Sequence, residues 1–188
     1  MSIDLTQELD QQLSWHWEHQ LRPRLDGLTD EEYLWEPVPG SWNLHPRGQG
    51  HTDFQGGSGD FTIDFEVPEP EPAPVTTIAW RFGHILVGVF GDRNARYFGG
   101  PPVDYVSYDY PATAPAALAE LDTTYATWIA GVRGLGGDDL ARPCREPGHE
   151  QESMMALVLH IHREVIHHGA EISLLRDLYA NRRSEALG

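Results

Sequence analysis

The stretch HIHREVIHHGAEISLLRDLY, residues 160–179, carries four histidines and two glutamates inside an otherwise apolar helical pattern. Each helical residue advances about 100° around the axis. With Glu164 at zero, Leu157 and Leu175 fall about 20° away, His168 about 40°, and Glu171 about 20° to the other side. Ile161 and Ile172 lie within about 80°. On this wheel Glu164, His168 and Glu171 share the apolar face, His162 points nearly opposite, toward water, and His160 and His167 stand on the flank. A carboxylate in a core stripe is costly unless a proton, an arginine or a metal ion compensates it. Glu164 and His168 are one turn apart, the spacing at which two side chains can clamp one ion. This helix alone leaves two readings level: a metal site, or a packed histidine beside an arginine-paired glutamate. A metal needs a third ligand from elsewhere.

The segment TTIAWRFGHILVGVFGDRNARYF, residues 76–98, offers one. His84 stands one turn from Trp80 and Gly88, with Gly83 beside it and Gly91 two turns on. A glycine inside a helix costs about 1 kcal/mol relative to alanine. Three of them around one histidine signal the close approach of another helix, a metal or a ligand. Tight helix packing around a satisfied core histidine accounts for them equally well.

Four helical elements must position these residues. The first covers about residues 4–21, with Leu5, Leu9, Leu13 and Trp17 at fourfold spacing and Pro23 closing it. The second covers 76–98, follows the proline-rich VPEPEPAPV, and is capped by Thr76 or Thr77. The third, about 114–132, carries Leu118, Leu121, Tyr125, Trp128 and Ile129; the fourth runs over about 153–179. Four amphipathic segments of comparable length predict an all-α four-helix bundle and one domain over residues 1–188. A long excursion, residues 27–74, separates the first two helices. Within it DFTIDFEV, residues 60–67, alternates with Phe61, Ile63, Phe65 and Val67 on one side. That is a strand pattern, expected as a small β-hairpin or flap over one end of the bundle.

Composition narrows the partners. The formal charge is −16, from 29 acidic residues against 13 basic ones, all arginine. Such a chain repels nucleic-acid phosphates and anionic lipid, so neither nucleic acid nor membrane is an expected partner. Cys144 stands alone, which excludes an intrachain disulfide and a thiolate metal cluster. The N-terminal MSIDLTQELDQQL lacks the basic-then-apolar pattern of a signal peptide, and no stretch is long enough for a membrane span. A cytoplasmic globular protein is expected.

The segments LTDEEYLWEP, TTIAWRFGHILVGVFGDRNARYFGGPP and HREVIHHGAEISLLRDLY resemble the DinB-like superfamily of bacterial four-helix proteins over nearly the whole chain. Within it they are most similar to the branch that includes mycothiol-dependent maleylpyruvate isomerase. Many members carry H-x-x-x-H on the last helix; here the first position is Glu164, as in the isomerase-like variant. The resemblance implies that His84, Glu164 and His168 hold one divalent metal ion, zinc or nickel, with water completing the shell. It further implies that the metal activates the thiol of a low-molecular-weight cosubstrate, which attacks an electrophilic small-molecule substrate. Bundles of this family often pair, so a homodimer is also expected. Glu171, His167 and His16 are the candidates to support the ligands or line the pocket. Cys144, in the loop RPCREPG, lies away from the motif, which fits an external thiol. The excursion over 27–74 is not part of the minimal bundle and is expected to reshape or cover the site.

Three readings are therefore in play. The first is a metal-dependent thiol transferase or isomerase. The second is a non-catalytic metal-binding bundle serving stress response or ligand sequestration. The third is a metal-free packing module in which an arginine neutralises Glu164.

Overall fold

The computed structural model describes residues 3–182. Helix α1 occupies residues 5–24, with Leu9, Leu13, Trp17 and Leu21 buried along its fourfold stripe. Asp4 caps it by accepting the Gln7 amide at 3.2 Å. Pro23 does not close this helix. The Arg22 amide reaches back to the carbonyl of Trp17, and the widened turn makes room for a ring that lacks an amide proton.

A short helix α2, Asp30–Tyr33, and three strands fill the excursion: β1, Leu44–Pro46; β2, Phe54–Gly56; and β3, Phe61–Phe65. They form one antiparallel sheet in the order β1-β3-β2, with Ile63 paired to Leu44 on one side and Gly56 on the other. The chain is thus mostly helical with a three-stranded sheet, where an all-α fold with at most a hairpin was expected. The one-sided burial expected of this stretch also fails. Thr62 and Asp64 are 0% exposed, whereas Phe65 and Val67 are 37% and 84% exposed. The physical reason is that β3 is central, and the segment from Asn43 to Gln55 folds over its polar face. The Asp64 carboxylate there accepts from the amides of Asn43 (3.1 Å) and His51 (3.0 Å), from His45 (2.8 Å) and from Gln55 (2.7 Å). A buried carboxylate is tolerable with that many donors.

Helix α3 occupies residues 78–97, capped by the Thr77 hydroxyl on the Trp80 amide at 3.2 Å. Immediately after His84 it widens over Ile85–Gly91, where the Asp92 amide bonds to the carbonyl of Val87. Such wide turns recur at functional sites. The sheet rests on this helix: the Trp80 indole donates to the Asp64 carbonyl at 2.9 Å, and a Cβ on Gly83 would meet Ile63 at 3.0 Å. Helix α4 is Ala114–Arg133, α5 is Gly137–Ala141 and α6 is Met154–Asn181. The long helices α1 and α3 each pack on both α4 and α6. Leu13, Phe82, Phe90, Trp128, Val158 and Val165 meet between them, none more than 1% exposed. Among the described residues no helix is long and apolar enough to cross a membrane.

The buried arc of α6 includes Leu157, Val158, Ile161, His162, Val165, His168, Gly169, Ile172 and Leu175. Relative to Glu164 it runs from about 20° to about 160°, centred on Val165 and Ile172. Glu164 therefore lies at the margin of the core stripe, not at its middle. His162, expected to see water, is 2% exposed and sets its ring 6.2 Å from that of Trp128. With α1, α3 and α5 all packed on it, α6 buries a wider arc than a one-sided stripe.

Candidate metal centre

One ligand atom from each of His84, Glu164 and His168 lies within 4.8 Å of the others. His84 comes from α3 and the other two from α6, and the imidazole rings stand 4.8 Å apart at 90°. His168 is 6% exposed, and the Glu164 side chain is 28% exposed.

Protons decide what this arrangement can do. Nδ1 of His168 lies 2.7 Å from Glu171 Oε2, so the ring donates its proton there. Burial, foremost, pushes the His168 pKa down, so the ring carries one proton and Nε2 carries a lone pair. That Nε2 is buried, has no hydrogen-bond partner, and faces Glu164 Oε2 at 3.5 Å. A lone pair set against a carboxylate asks for a cation between them. An ion bonded at about 2.0–2.2 Å to a nitrogen and an oxygen, at tetrahedral angles, holds them about 3.4 Å apart. The residues present fit a divalent ion.

His84 repeats the pattern. Nδ1 lies 2.7 Å from the Tyr105 hydroxyl, and burial, followed by the nearby His168, Arg81 and Arg93, lowers its pKa to about 4. With the Nδ1 proton on Tyr105, the other edge of the ring is bare. Trp80 stacks on His84 at 5.7 Å and Tyr105 at 6.4 Å. Gly88 is what admits Tyr105: a Cβ there would overlap the tyrosine hydroxyl. The glycines around His84 thus accommodate a side chain no spacing rule pointed to; Tyr105 lies outside every helix, and its only trace in the sequence was the glycine at 88.

The supporting candidates separate. Glu171 accepts from His168 and takes Arg81 at 3.1 Å, so it both orients a ligand and holds an arginine. His167 is largely exposed, 3.4 Å from Glu171. His16, half-buried on α1 with Nε2 unpartnered, joins none of the converging groups among the described residues. Glu164 contacts His160 at 3.6 Å and His168, and among the described residues no arginine pairs with it. The arginine that would have neutralised it is spent on Glu171. Arg93 and Arg96 are engaged by Glu146 and Asp92. A cleft of about 690 Å³ opens beside His160, lined also by Arg163, Arg93 and Arg96.

Compared with known families, residues 63–172 match the family model described as the DinB superfamily. No curated protein and no solved structure matches the chain.

Proposed function

The chain belongs to the DinB superfamily, and from that premise we propose that it is a metal-dependent enzyme working with a low-molecular-weight thiol. His84, Glu164 and His168 hold one divalent ion, zinc or nickel, between two helices of a four-helix bundle. The substrate is an electrophilic small molecule; the thiol, of the mycothiol type, is either transferred to it or adds to it, lets it isomerise and is released unchanged. The observation that carries this reading is the buried, unpartnered Nε2 of His168 facing the Glu164 carboxylate.

When bound, the ion supplies a positive centre that lowers the pKa of a water or thiol brought to it. The chain's own residues prepare that place. Glu171 and Tyr105 take up the Nδ1 edges of the two imidazoles, fixing each ring by the kind of support that usually orients metal-binding histidines. Arg81 balances Glu171, which leaves Glu164 as the anion that faces the ion. Trp80 and Tyr105 cover His84 and keep water from that side. The protein's own thiol is out of play: Cys144 is 3% exposed and its sulfur lies 3.3 Å from the His149 carbonyl.

The same covering of His84 by Trp80 and Tyr105 favours a second reading, a metal-binding bundle without turnover. Metal-loaded protein assayed with mycothiol, bacillithiol and glutathione against a panel of electrophiles separates the two. Thiol consumption that disappears in Glu164→Gln is the expected result. Metal bound without consumption of any thiol would leave the binding role.

A further inference from the structure

A second set of donors converges in the excursion, away from the helices. Glu36 follows α2, His45 lies on β1, and His51 sits in the β1–β2 connection. One ligand atom from each lies within 4.8 Å of the others. All three precede residue 63, where the family match begins.

The geometry is that of a built site. The two imidazole rings meet at 4.4 Å, edge to face. Nε2 of His45 is 2.8 Å from Oδ2 of Asp64, a side chain that is 0% exposed. With its proton held there, Nδ1 of His45 is left bare. The same carboxylate accepts the His51 amide at 3.0 Å, so one buried anion fixes the ring of one histidine and the backbone of the other. A carboxylate behind an imidazole is the usual support of a metal-binding histidine. Glu36 Oε1 lies 3.1 Å from Nε2 of His51, close to the roughly 3.4 Å that two ligands of one tetrahedral ion adopt. Among the described residues Glu36 has no arginine partner. The His45, Glu36 and His51 side chains are 12%, 28% and 44% exposed, so an ion can enter from solvent.

We propose that Glu36, His45 and His51 bind a divalent transition-metal ion at a site separate from the helical centre. Two imidazoles and a carboxylate suit zinc, nickel or cobalt, and not the all-oxygen shells of magnesium or calcium. The ion ties the end of α2 to β1 and to the β1–β2 connection. These are the pieces that pack around Asp64, whose carbonyl holds Trp80 against His84. Its role is a clamp on the wall of the helical site.

The test is a metal titration of the full-length apoprotein, with cobalt followed by visible absorption and zinc by equilibrium dialysis. Wild type should take up about two equivalents, and His51→Ala about one, with circular dichroism unchanged. Glu36→Gln should weaken the same equivalent by about tenfold or more. A His51→Ala protein that keeps the wild-type stoichiometry would overturn the proposal. The helical centre fails separately: if His168→Ala keeps both equivalents, that centre is wrong while the clamp stands.

Discussion

Glu171 binds His168 through Nδ1 at 2.7 Å, and by doing so turns the bare Nε2 toward Glu164. The helical centre depends on this contact, because the proton that Nδ1 donates to Glu171 is the one that would otherwise sit on Nε2, between His168 and Glu164. Replacing Glu171 by Gln keeps a hydrogen-bond acceptor and removes the charge. Metal affinity, measured by competition with a chelator, should fall about 10–100-fold. Unaltered affinity would remove Glu171 from any positioning role.

Metal should also stabilise the fold, since a ligand that binds only the native state shifts unfolding by mass action. At a hundredfold excess of free ion over Kd the gain is about 2.7 kcal/mol. For a chain of this size that raises Tm by about 5–10 °C. Thermal melts with and without a chelator would show it, and the part contributed by the helical centre should vanish in His168→Ala.

Acid should weaken the protein through His162. Burial lowers its pKa to about 4 from the ordinary 6.5. Above 6.5 the ring is neutral in both states and costs nothing; as pH falls through 6.5 the unfolded chain takes a proton that the folded chain refuses until about 4. Between pH 7 and 5 this removes about 2 kcal/mol. His84 and His168 act in the same direction, so the comparison is with His162→Leu under a chelator. Urea unfolding of that variant should lose about 2 kcal/mol less than wild type over the same interval. Identical pH profiles would contradict the assignment.

Gly88→Ala sets two effects against each other. Helix propensity favours alanine by about 1 kcal/mol. The new Cβ overlaps the Tyr105 hydroxyl, and overpacking of this kind costs about 1–3 kcal/mol. The clash should win: a lower Tm together with weaker metal binding, because Tyr105 must leave His84. A variant more stable than wild type, with metal affinity intact, would show that Tyr105 is not needed there.

The helix spans could be read directly from the chain. Thr77, Thr113 and Ser153 cap helices whose apolar spacing was already plain, and each side chain accepts the amide three residues on. Pro23 misled because a widened turn absorbs a proline that a regular turn would reject. Phe61 to Val67 misled because alternation predicts which residues share a face and not whether a face is covered; Asp64 became interior only when Asn43, His45, His51 and Gln55 gathered on it. Strands β1 and β2, three residues each, are too short for alternation to register.

By itself the sequence determined the donors: a histidine among glycines on one helix, and a glutamate and a histidine one turn apart on another. These are local facts, governed by the 3.6-residue period and the cost of burying charge. Only the tertiary structure decided that Glu164 sits at the margin of the core, that His162 is inside it, and that Tyr105, Arg81 and Asp64 hold the imidazoles and carboxylates in place. Those outcomes depend on which neighbours cover a face and on where each proton goes, and both are set by contacts between residues far apart in the chain.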